Sequence, residues 1–232
     1  MIKNKIIFLL CSLLTFRHSF AQNAPTFMQL PVNIVEAAND TSKPLIMYIT
    51  GDGGWNKFSK TLAVELAAKG CPVISLNARD YFWKKKTAAQ TTVDITHLTR
   101  YYQRIWRRKK IMLIGYSFGA DVMPFVFNLL PPDISSAVVN ISLLSPAPYT
   151  DFEIHLAAMI GANFYGGESV VAAINKITTK PLTIISGKEE KNFPLQKLTI
   201  KNYTAIQLGG GHHYDGDESS LCNTILLSFS KR

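Results

Sequence analysis

Short apolar runs alternate along the chain with longer amphipathic stretches. The apolar runs are rich in β-branched residues and carry apolar side chains on both faces, which is typical of strands in a covered parallel sheet. The predicted strands are 44–50, 72–77, 110–115, 136–144, 181–186 and 203–208. Helical periodicity predicts helices over 57–69, 87–108, 118–129, 168–177 and 217–230. Because strand and helix alternate throughout, we expect an α/β fold with a mostly parallel central sheet flanked by helices.

Three local features refine this pattern. Thr87 and Gln90 have the spacing of a capping box, which predicts the start of the second helix. Pro124 falls inside the predicted helix 118–129 and removes one backbone hydrogen bond, so we expect a kink or a lost turn. The stretch 146–167 has small and aromatic residues without a clear period. It is open to interpretation as a lid, part of an acyl pocket or an ordinary crossover.

Residues 1–21 have the layout of a secretory signal peptide. Two lysines come first, an apolar run over 6–16 follows, and Ser19-Phe20-Ala21 supplies small residues before a cleavage point. The alternative is a membrane anchor, but the run has about eleven residues and a spanning helix needs roughly 20. We therefore expect cleavage after Ala21, export to the periplasm and a single domain over 22–232.

The composition is that of a globular protein. Of the 232 residues, 47% are hydrophobic and 18% are charged, which excludes a disordered tail, a collagen-like repeat and a disulfide-dense mini-protein. The net charge of +9 favours contact with an anionic partner. In an exported protein, Cys71 and Cys222 form either one disulfide or two buried thiols, and the sequence leaves both open. No cysteine or histidine spacing indicates a structural zinc site, and we expect no metal.

The most informative motif is GYSFG at 115–119, between a predicted strand and a predicted helix. G-x-S-x-G in that setting is the nucleophile elbow of α/β-hydrolases. It places Ser117 on a tight turn with its hydroxyl above the sheet, and the positive end of the helix dipole favours negative charge there. The alternative is a serine in an ordinary glycine-rich turn. The strand–turn–helix setting favours the elbow and predicts Ser117 as the nucleophile.

An acid and a base follow later strands in the order that such a triad requires. Strand 181–186 leads into Gly-Lys-Glu-Glu, which predicts Glu190 as the acid, with Glu189 as the alternate. The last strand leads into three glycines and two histidines, which predicts His212 as the base, with His213 as the alternate. Solvated surface histidines or a pair of metal ligands are the other interpretations. Neither explains why the histidines follow the last strand of a chain with an elbow.

An oxyanion hole needs two backbone N–H donors. One is expected from Phe118, directly after the serine. The other is expected from the glycine-rich loop TGDGGW at 50–55, where we assign the main chain of Asp52 first and that of Gly53 next. This loop has neither the GK[ST] ending of a phosphate loop nor the G-x-G-x-x-G spacing of a dinucleotide site, and we expect no cofactor.

These motifs together resemble the VirJ/AcvB family of exported bacterial virulence-associated hydrolases. The matching segments are ITGDGGW (49–55), ARDYFWKKKTAAQT (78–91), IGYSFGADVMPFVFNLLP (114–131), SGKEE (186–190) and GGGHHYDGD (209–217). The resemblance implies an α/β-hydrolase fold acting in the periplasm. Longer members carry an extra N-terminal domain that this sequence does not show. Those longer members are linked to hydrolysis of lysyl-phosphatidylglycerol and, in some pathogens, to the function of secretion systems.

By the same resemblance, Ser117 is the nucleophile, Glu190 or Glu189 the acid and His212 or His213 the base. The preferred hypothesis is a periplasmic serine hydrolase that cleaves an ester, with an aminoacylated phospholipid as substrate. A generic carboxylesterase or thioesterase is the alternative among enzymes. A secretion or assembly factor that keeps the fold without using the triad is the alternative from another class.

A basic stripe is expected within 87–110. Its arginines recur at three- and four-residue steps, at Arg100, Arg104, Arg107 and Arg108. Three lysines precede the helix at 84–86. Peripheral contact with an anionic membrane, at about 1 kcal/mol per basic residue, is one interpretation. A solvated helix face is the other. We expect no nucleic acid partner, because an exported protein rarely meets one.

A cationic lysyl ester would favour acidic residues near the site. The candidates by loop position are Asp52, Asp80, Asp215 and Asp217. Asp215 and Asp217 are alternatively caps of the last helix.

Overall fold

The computed structural model describes residues 29–155, 166–191 and 193–230. The predicted signal peptide lies outside these residues. The strands are β1 (Val32–Val35), β2 (Leu45–Ile49), β3 (Val73–Leu76), β4 (Ile111–Tyr116), β5 (Val138–Leu144), β6 (Tyr149–Thr150), β7 (Glu168–Ser169), β8 (Leu182–Gly187) and β9 (Tyr203–Leu208). The helices are α1 (Lys57–Ala68), α2 (Ala78–Tyr81), α3 (Ala88–Ile105), α4 (Phe118–Leu129), α5 (Pro132–Ala137), α6 (Val170–Ile174) and α7 (Glu218–Ser230).

The main sheet has seven strands in the order β1-β3-β2-β4-β5-β8-β9. Every neighbouring pair in it is parallel except β1 and β3, which are antiparallel at one edge. The register sets Met47 beside Leu113, and Leu143 beside Ile184. Strands β6 and β7 form a separate antiparallel pair. The α/β fold with a mostly parallel sheet, predicted from the sequence, is confirmed.

Two apolar layers cover the two faces of this sheet. Alternate side chains of a strand point to opposite faces. Accordingly, Met47 and Ile49 join the cluster that packs against α3, α4 and α6, whereas Ile46 and Tyr48 join the cluster under α1 and α7. All five residues of β2 are therefore buried. This double covering explains why the strands read as continuous apolar runs rather than alternating ones.

The predicted helix 87–108 begins as expected and ends early. Thr87 and Gln90 form the capping box with both hydrogen bonds present. The helix ends at Ile105, because Arg107 takes a left-handed φ of 51° and the N–H of Arg108 returns to the carbonyl of Gln103 at 3.0 Å. This is the hydrogen bond that closes a Schellman motif. The prediction that Arg107 and Arg108 continue the helical stripe is therefore wrong.

The Arg108 side chain turns into the protein instead of toward solvent. It is 4% exposed, and its guanidinium donates to the backbone carbonyls of Ala38 at 2.9 Å, Lys43 at 3.2 Å and Asp40. A guanidinium suits this task because its fixed fork of N–H groups reaches several acceptors at once. Arg108 thus fastens the loop before β2 to the end of α3.

Other differences from the predicted elements are local. Helix 118–129 runs through Pro124 to its predicted end. The predicted helix 168–177 shortens to α6, because 168–169 form β7. Helices α2 and α5 and the edge strand β1 are short elements without a strong periodic pattern. In the stretch 146–167, residues 149–150 form β6, and 156–165 lie outside the described residues.

The two cysteines are free thiols in the structure. Cys71 and Cys222 are both buried in the apolar layer under α1 and α7. Burial raises the pKa of each thiol to about 11, which keeps both protonated and weakly reactive.

Candidate active site

A strained turn between β4 and α4 presents Ser117. The residue has φ 51° and ψ −121°, and its N–H donates to the carbonyl of Leu144 at 2.8 Å. The turn requires glycine on both sides. A Cβ on Gly115 would lie 2.6 Å from the carbonyl carbon of Gly119, and a Cβ on Gly119 would lie 2.6 Å from the carbonyl oxygen of Thr50. The backbones can approach this closely only without side chains.

Three side chains from separate loops meet at this turn. His212 Nε2 lies 2.8 Å from Ser117 Oγ, and His212 Nδ1 lies 2.6 Å from Glu190 Oε1. Ser117 follows β4, Glu190 follows β8 and His212 follows β9, so all three lie at the carboxyl edge of the parallel sheet. Both distances are within hydrogen-bonding range. The arrangement permits the imidazole to take the serine proton on one nitrogen while the carboxylate holds the other.

The second oxygen of Glu190 is also hydrogen-bonded. Oε2 accepts the N–H of Gly187 at 2.8 Å and the hydroxyl of Ser145 at 2.6 Å. Burial, the largest single influence, raises the pKa of Glu190, but the hydrogen bonds to its two oxygens together lower it below its usual value. The Glu190 side chain is 20% exposed and that of His212 is 43% exposed. The carboxylate is thus ionised and fixed, whereas the imidazole faces the opening of the site.

The alternates of the acid and the base lie elsewhere. His213 places its ring edge against Phe58, with ring centroids 5.9 Å apart. The Glu189 carboxylate lies beside Gly211, and the backbone N–H of Glu189 donates to the carbonyl of Gly210. The structure therefore brings together Ser117, His212 and Glu190 and leaves out Glu189 and His213. The catalytic roles of the three stay a prediction.

Two backbone N–H groups near Ser117 have no acceptor within the described residues. Phe118 is the first residue of α4, and Asp52 follows Gly51, where an added Cβ would lie 3.2 Å from Ser117 Cβ. The N–H of Gly53, by contrast, donates to the Asp52 carboxylate at 2.9 Å. This geometry favours Asp52 over Gly53 as the second donor.

Comparison with family models places most of the chain in a known family. The family model described as bacterial virulence protein (VirJ) matches residues 43–232. The chain belongs to the VirJ family. The comparison with curated proteins gave no match.

Solved structures with the same fold are α/β hydrolases. Est1E from Butyrivibrio proteoclasticus is 16% identical with a TM-score of 0.61, covering 88% of this chain and 96% of that one. MenH from S. aureus is 16% identical with a TM-score of 0.60, covering 86% and 98%. An alpha-beta serine hydrolase homologue from Coxiella burnetii is 18% identical with a TM-score of 0.57, covering 84% and 89%. Likeness at such low identity shows the α/β-hydrolase fold for this VirJ-family chain.

Asp121 is an acidic residue of the site that the motifs did not indicate. It lies in the first turn of α4, is 6% exposed, and accepts the N–H of Ala147 at 2.5 Å. Burial raises the pKa of Asp121 well above its usual value, and the charge of Asp52 raises it further. Among the described residues it has no cationic partner. The signal in the sequence was a single acid in an otherwise apolar helix directly after the elbow.

The other acidic candidates have different surroundings. Asp217 accepts the N–H of Ser220 at 2.9 Å and so caps α7. Asp215 sits in the turn with φ 55° and packs against Gly210. Asp80 accepts the amide of Asn77 at 2.6 Å.

A cavity of about 470 Å³ lies beside the glycine-rich loop. It is lined by Gly53, Gly54, Trp55, Asn77, Arg79, Asp80 and Trp83. The N–H of Gly54 bonds to the carbonyl of Gly51 at 2.9 Å, so one tight turn separates the cavity from the serine. In the described part of the chain, Arg79 has no carboxylate partner. This cavity is the candidate pocket for the part of a substrate beyond the reacting carbonyl.

Among the described residues, one group of side chains outside the triad has the spacing of possible metal ligands. Asp151, Glu153 and His155 follow β6, and their ligand atoms lie within 4.8 Å of one another. His155 Nε2 is already 2.6 Å from an oxygen of Asp151.

Proposed function

We propose that this protein is a periplasmic serine hydrolase that cleaves an ester through an acyl-enzyme. The observation that carries the proposal is the hydrogen-bonded series from Ser117 through His212 to Glu190. The elbow and the fold of the VirJ family agree with it.

The reaction follows from the positions of these groups. Ser117 Oγ attacks the ester carbonyl carbon as His212 Nε2 takes its proton, and Glu190 stabilises the imidazolium through Nδ1–H. The N–H groups of Asp52 and Phe118 bind the oxyanion. The imidazolium then gives its proton to the leaving alcohol as the C–O bond breaks. A water molecule then attacks the acyl carbon as the imidazole takes one of its protons. The bond between the acyl carbon and Ser117 Oγ breaks, the imidazolium returns the proton to Oγ, and the carboxylic acid leaves.

A fluorophosphonate probe tests the proposal. We expect labelling of the wild type and none of Ser117→Ala. His212→Gln is expected to lose labelling as well, whereas His213→Gln is the matched control and retains it. Circular dichroism and thermal melting establish that all four proteins are folded. A folded wild type that stays unlabelled, or equal loss in both histidine variants, would contradict the proposed mechanism.

The substrate proposed is an aminoacylated phospholipid such as lysyl-phosphatidylglycerol. Two carboxyl groups, Asp52 and Asp121, lie near the elbow and support the proposal that the acyl group of the substrate is cationic. An ammonium group bound beside Asp121 would offset the cost of burying the ionised carboxylate. Arg79 in the adjacent cavity supports an anionic group on the alcohol side. A carboxylesterase or thioesterase on another acyl group is the alternative. The fold likeness to a thioesterase domain from the curacin biosynthetic pathway is compatible with it.

Lysine release from vesicles that contain lysyl-phosphatidylglycerol tests this substrate. Asp121→Asn keeps the oxygen that accepts the N–H of Ala147 and removes the carboxyl group that would ionise when an ammonium binds beside it. We expect it to raise KM about tenfold for the lysyl ester and to leave hydrolysis of p-nitrophenyl acetate nearly unchanged. Equal effects on both esters, or no lysine release by the wild type, would overturn the lipid proposal and leave the generic esterase.

Peripheral membrane contact is a further part of the proposal. Arg108 is buried and Arg100 pairs with Asp133 at 2.8 Å, so these two contribute little to the basic surface. The remaining basic residues of this surface are Lys84, Lys85, Lys86, Arg104, Arg107, Lys109 and Lys110. Within the described residues, no helix has the length and apolar character to cross a membrane. We expect co-sedimentation with phosphatidylglycerol vesicles at low salt, loss of it in a Lys84→Glu/Lys85→Glu variant, and none with phosphatidylcholine vesicles.

Export is tested by fractionation and sequencing of the mature N-terminus. We expect the protein in the periplasmic fraction, beginning at Gln22 after cleavage behind Ala21. An uncut protein that stays with the membrane would contradict this expectation.

A further inference from the structure

A second hydrogen-bonded series lies behind the acid of the triad. Ser145 follows the last residue of β5 and is 5% exposed. Its Oγ lies 2.6 Å from Glu190 Oε2 and 2.7 Å from the phenol oxygen of Tyr214. Tyr214 comes two residues after His212 and is 1% exposed. Two buried hydroxyl groups therefore connect the loop of the base to the carboxylate of the acid.

Counting hydrogens fixes the direction of this series. An ionised carboxylate only accepts hydrogen bonds, so Ser145 donates its single hydroxyl hydrogen to Glu190 Oε2. The contact between Ser145 and Tyr214 then needs the hydrogen of the phenol. The phenol also lies 3.0 Å from the carbonyl of Ile185, which can accept a second hydrogen bond besides the N–H of Ser145. The shorter contact of 2.7 Å joins two hydroxyl oxygens, which come this close only with a hydrogen between them, and the phenol holds the one that remains. The hydrogens thus run from tyrosine to serine to carboxylate.

Burial supports the donor role of the tyrosine. Burial, as the largest influence, raises the pKa of Tyr214, and the negative charge of Glu190 acts in the same direction. The phenol stays protonated over the whole range in which the protein would act. It can therefore donate to Ser145 permanently.

Backbone strain at both positions indicates that their side chains are needed. Ser145 and Tyr214 each have φ 51°, in the left-handed region that favours glycine. A non-glycine residue there is disfavoured unless surrounding contacts hold it. At Ser145 the hydrogen bonds of the hydroxyl supply that contact.

We propose that Tyr214 and Ser145 form a hydrogen-bond chain that positions the Glu190 carboxylate. With Gly187 N–H, the chain holds Oε2 and so directs Oε1 toward His212 Nδ1. Ser145 and Tyr214 are positioning residues, because neither touches the reacting atoms. The proposal rests on the proposed function, since it assigns the support of the same triad.

Ser145→Gly separates positioning from stability. Glycine suits a φ of 51°, and this relief offsets part of the stability lost with the hydroxyl, so the variant should fold and melt within a few degrees of the wild type while it lacks the hydrogen bond to Glu190. We expect its second-order rate of fluorophosphonate labelling to fall about tenfold, and that of Tyr214→Phe about threefold. A carboxylate with one donor fewer is more basic and stabilises the protonated imidazole more. The acid limb of the labelling pH profile should therefore move to higher pH.

Ser142→Ala is the matched control, because Ser142 is a buried serine of the same strand that bonds to Asn140 rather than to the acid. Its labelling pH profile should equal that of the wild type. Wild-type labelling rate and an unchanged acid limb in Ser145→Gly would overturn the positioning role. A loss of rate without a shift of the acid limb would also overturn it, because a general structural defect does the same.

Proton NMR of the unlabelled protein distinguishes this inference from the proposed function. The low-field resonance of the His212 Nδ1 hydrogen reports its bond to Glu190. It should move in Ser145→Gly and stay in place in Ser142→Ala, whether or not the protein is an enzyme. If the wild type is not labelled but the resonance shifts in Ser145→Gly, only the enzyme proposal is contradicted. A resonance that does not move would sink the positioning role.

Discussion

Replacing Glu190 by glutamine should leave the fold intact and fix the imidazole in the wrong tautomer. Oε2 of Glu190 faces two donors, the N–H of Gly187 and the hydroxyl of Ser145. An amide NH2 group placed there would face the N–H of Gly187 and leave that donor unsatisfied, at about 1–3 kcal/mol, although the Ser145 hydroxyl could turn and accept. The amide oxygen therefore takes this position, and the NH2 group faces His212 Nδ1. That nitrogen must then accept, and the imidazole hydrogen moves to Nε2, where it blocks proton transfer from the serine.

The expected magnitude follows from these contacts. A preference of about 2 kcal/mol or more for the wrong orientation leaves at most about one molecule in 30 with the productive tautomer. Loss of the charged hydrogen bond to the imidazolium removes about 2 kcal/mol more, another factor of about 30. Together they predict about a 10³-fold fall in the rate of fluorophosphonate labelling of Glu190→Gln.

Glu189→Gln is the control, because Glu189 lies beside Gly211 and outside the triad. It should label within about twofold of the wild type, and both variants should melt within a few degrees of it. A Glu190→Gln protein that labels within about threefold of the wild type would refute the assigned tautomer and the role of the acid. Equal loss in both variants would refute the choice between the two glutamates.

Three further predictions concern stability. Gly119→Ala places a Cβ against the carbonyl oxygens of Ile49 and Thr50, and we expect urea unfolding to show a loss of about 3 kcal/mol or more. Arg108→Met removes the buried guanidinium that donates to the carbonyls of Ala38 and Lys43 and fastens the loop before β2, and we expect a loss of about 2–4 kcal/mol in the same assay. The lowered pKa of Glu190 means that its ionised form stabilises the fold above its unfolded value of 4.5, and that this part is lost as pH falls. The fall in unfolding free energy between about pH 6 and pH 3 should thus be smaller in Glu190→Gln.

The first two of these predictions have a control variant within the chain, and the third is compared with the wild type. Gly209→Ala adds a Cβ 3.3 Å from a flexible side chain and should cost less than about 1 kcal/mol. Arg104→Ala removes an exposed arginine of α3 and should change stability by less than about 0.5 kcal/mol. If Gly119→Ala loses no more unfolding free energy than Gly209→Ala, the crowding inferred at Gly119 is wrong. If Arg108→Met loses no more than Arg104→Ala, the hydrogen bonds of Arg108 do not stabilise the fold as inferred. If the acid dependence of Glu190→Gln equals that of the wild type, the ionised carboxylate does not stabilise the fold.

The order of strands and helices was predictable because it depends on local patterns. Runs such as 44–50 and 110–115 are apolar on both faces only when helices cover both sides of the sheet. The capping box of Thr87 and the cap of Asp217 are likewise local, since each joins residues three apart. Arg108 is the counterexample. Its place in a row of arginines suggested a basic surface, and its burial depends on carbonyls about 65 to 70 residues earlier in the chain.

The sequence by itself determined the fold class and the three loops that carry a serine, an acid and a base. Turn glycines and apolar strand patterns depend only on residues that are close together in the sequence, so they can be recognised without the structure. Only the tertiary structure showed that His212 rather than His213 contacts Ser117, and that Glu190 rather than Glu189 contacts His212, since neighbours in a loop differ in direction rather than in chemistry. The same holds for Ser145, Tyr214 and Asp121. Their surroundings come from strands and loops far apart in the chain, and hydrogen bonds and burial exist only once those segments pack together.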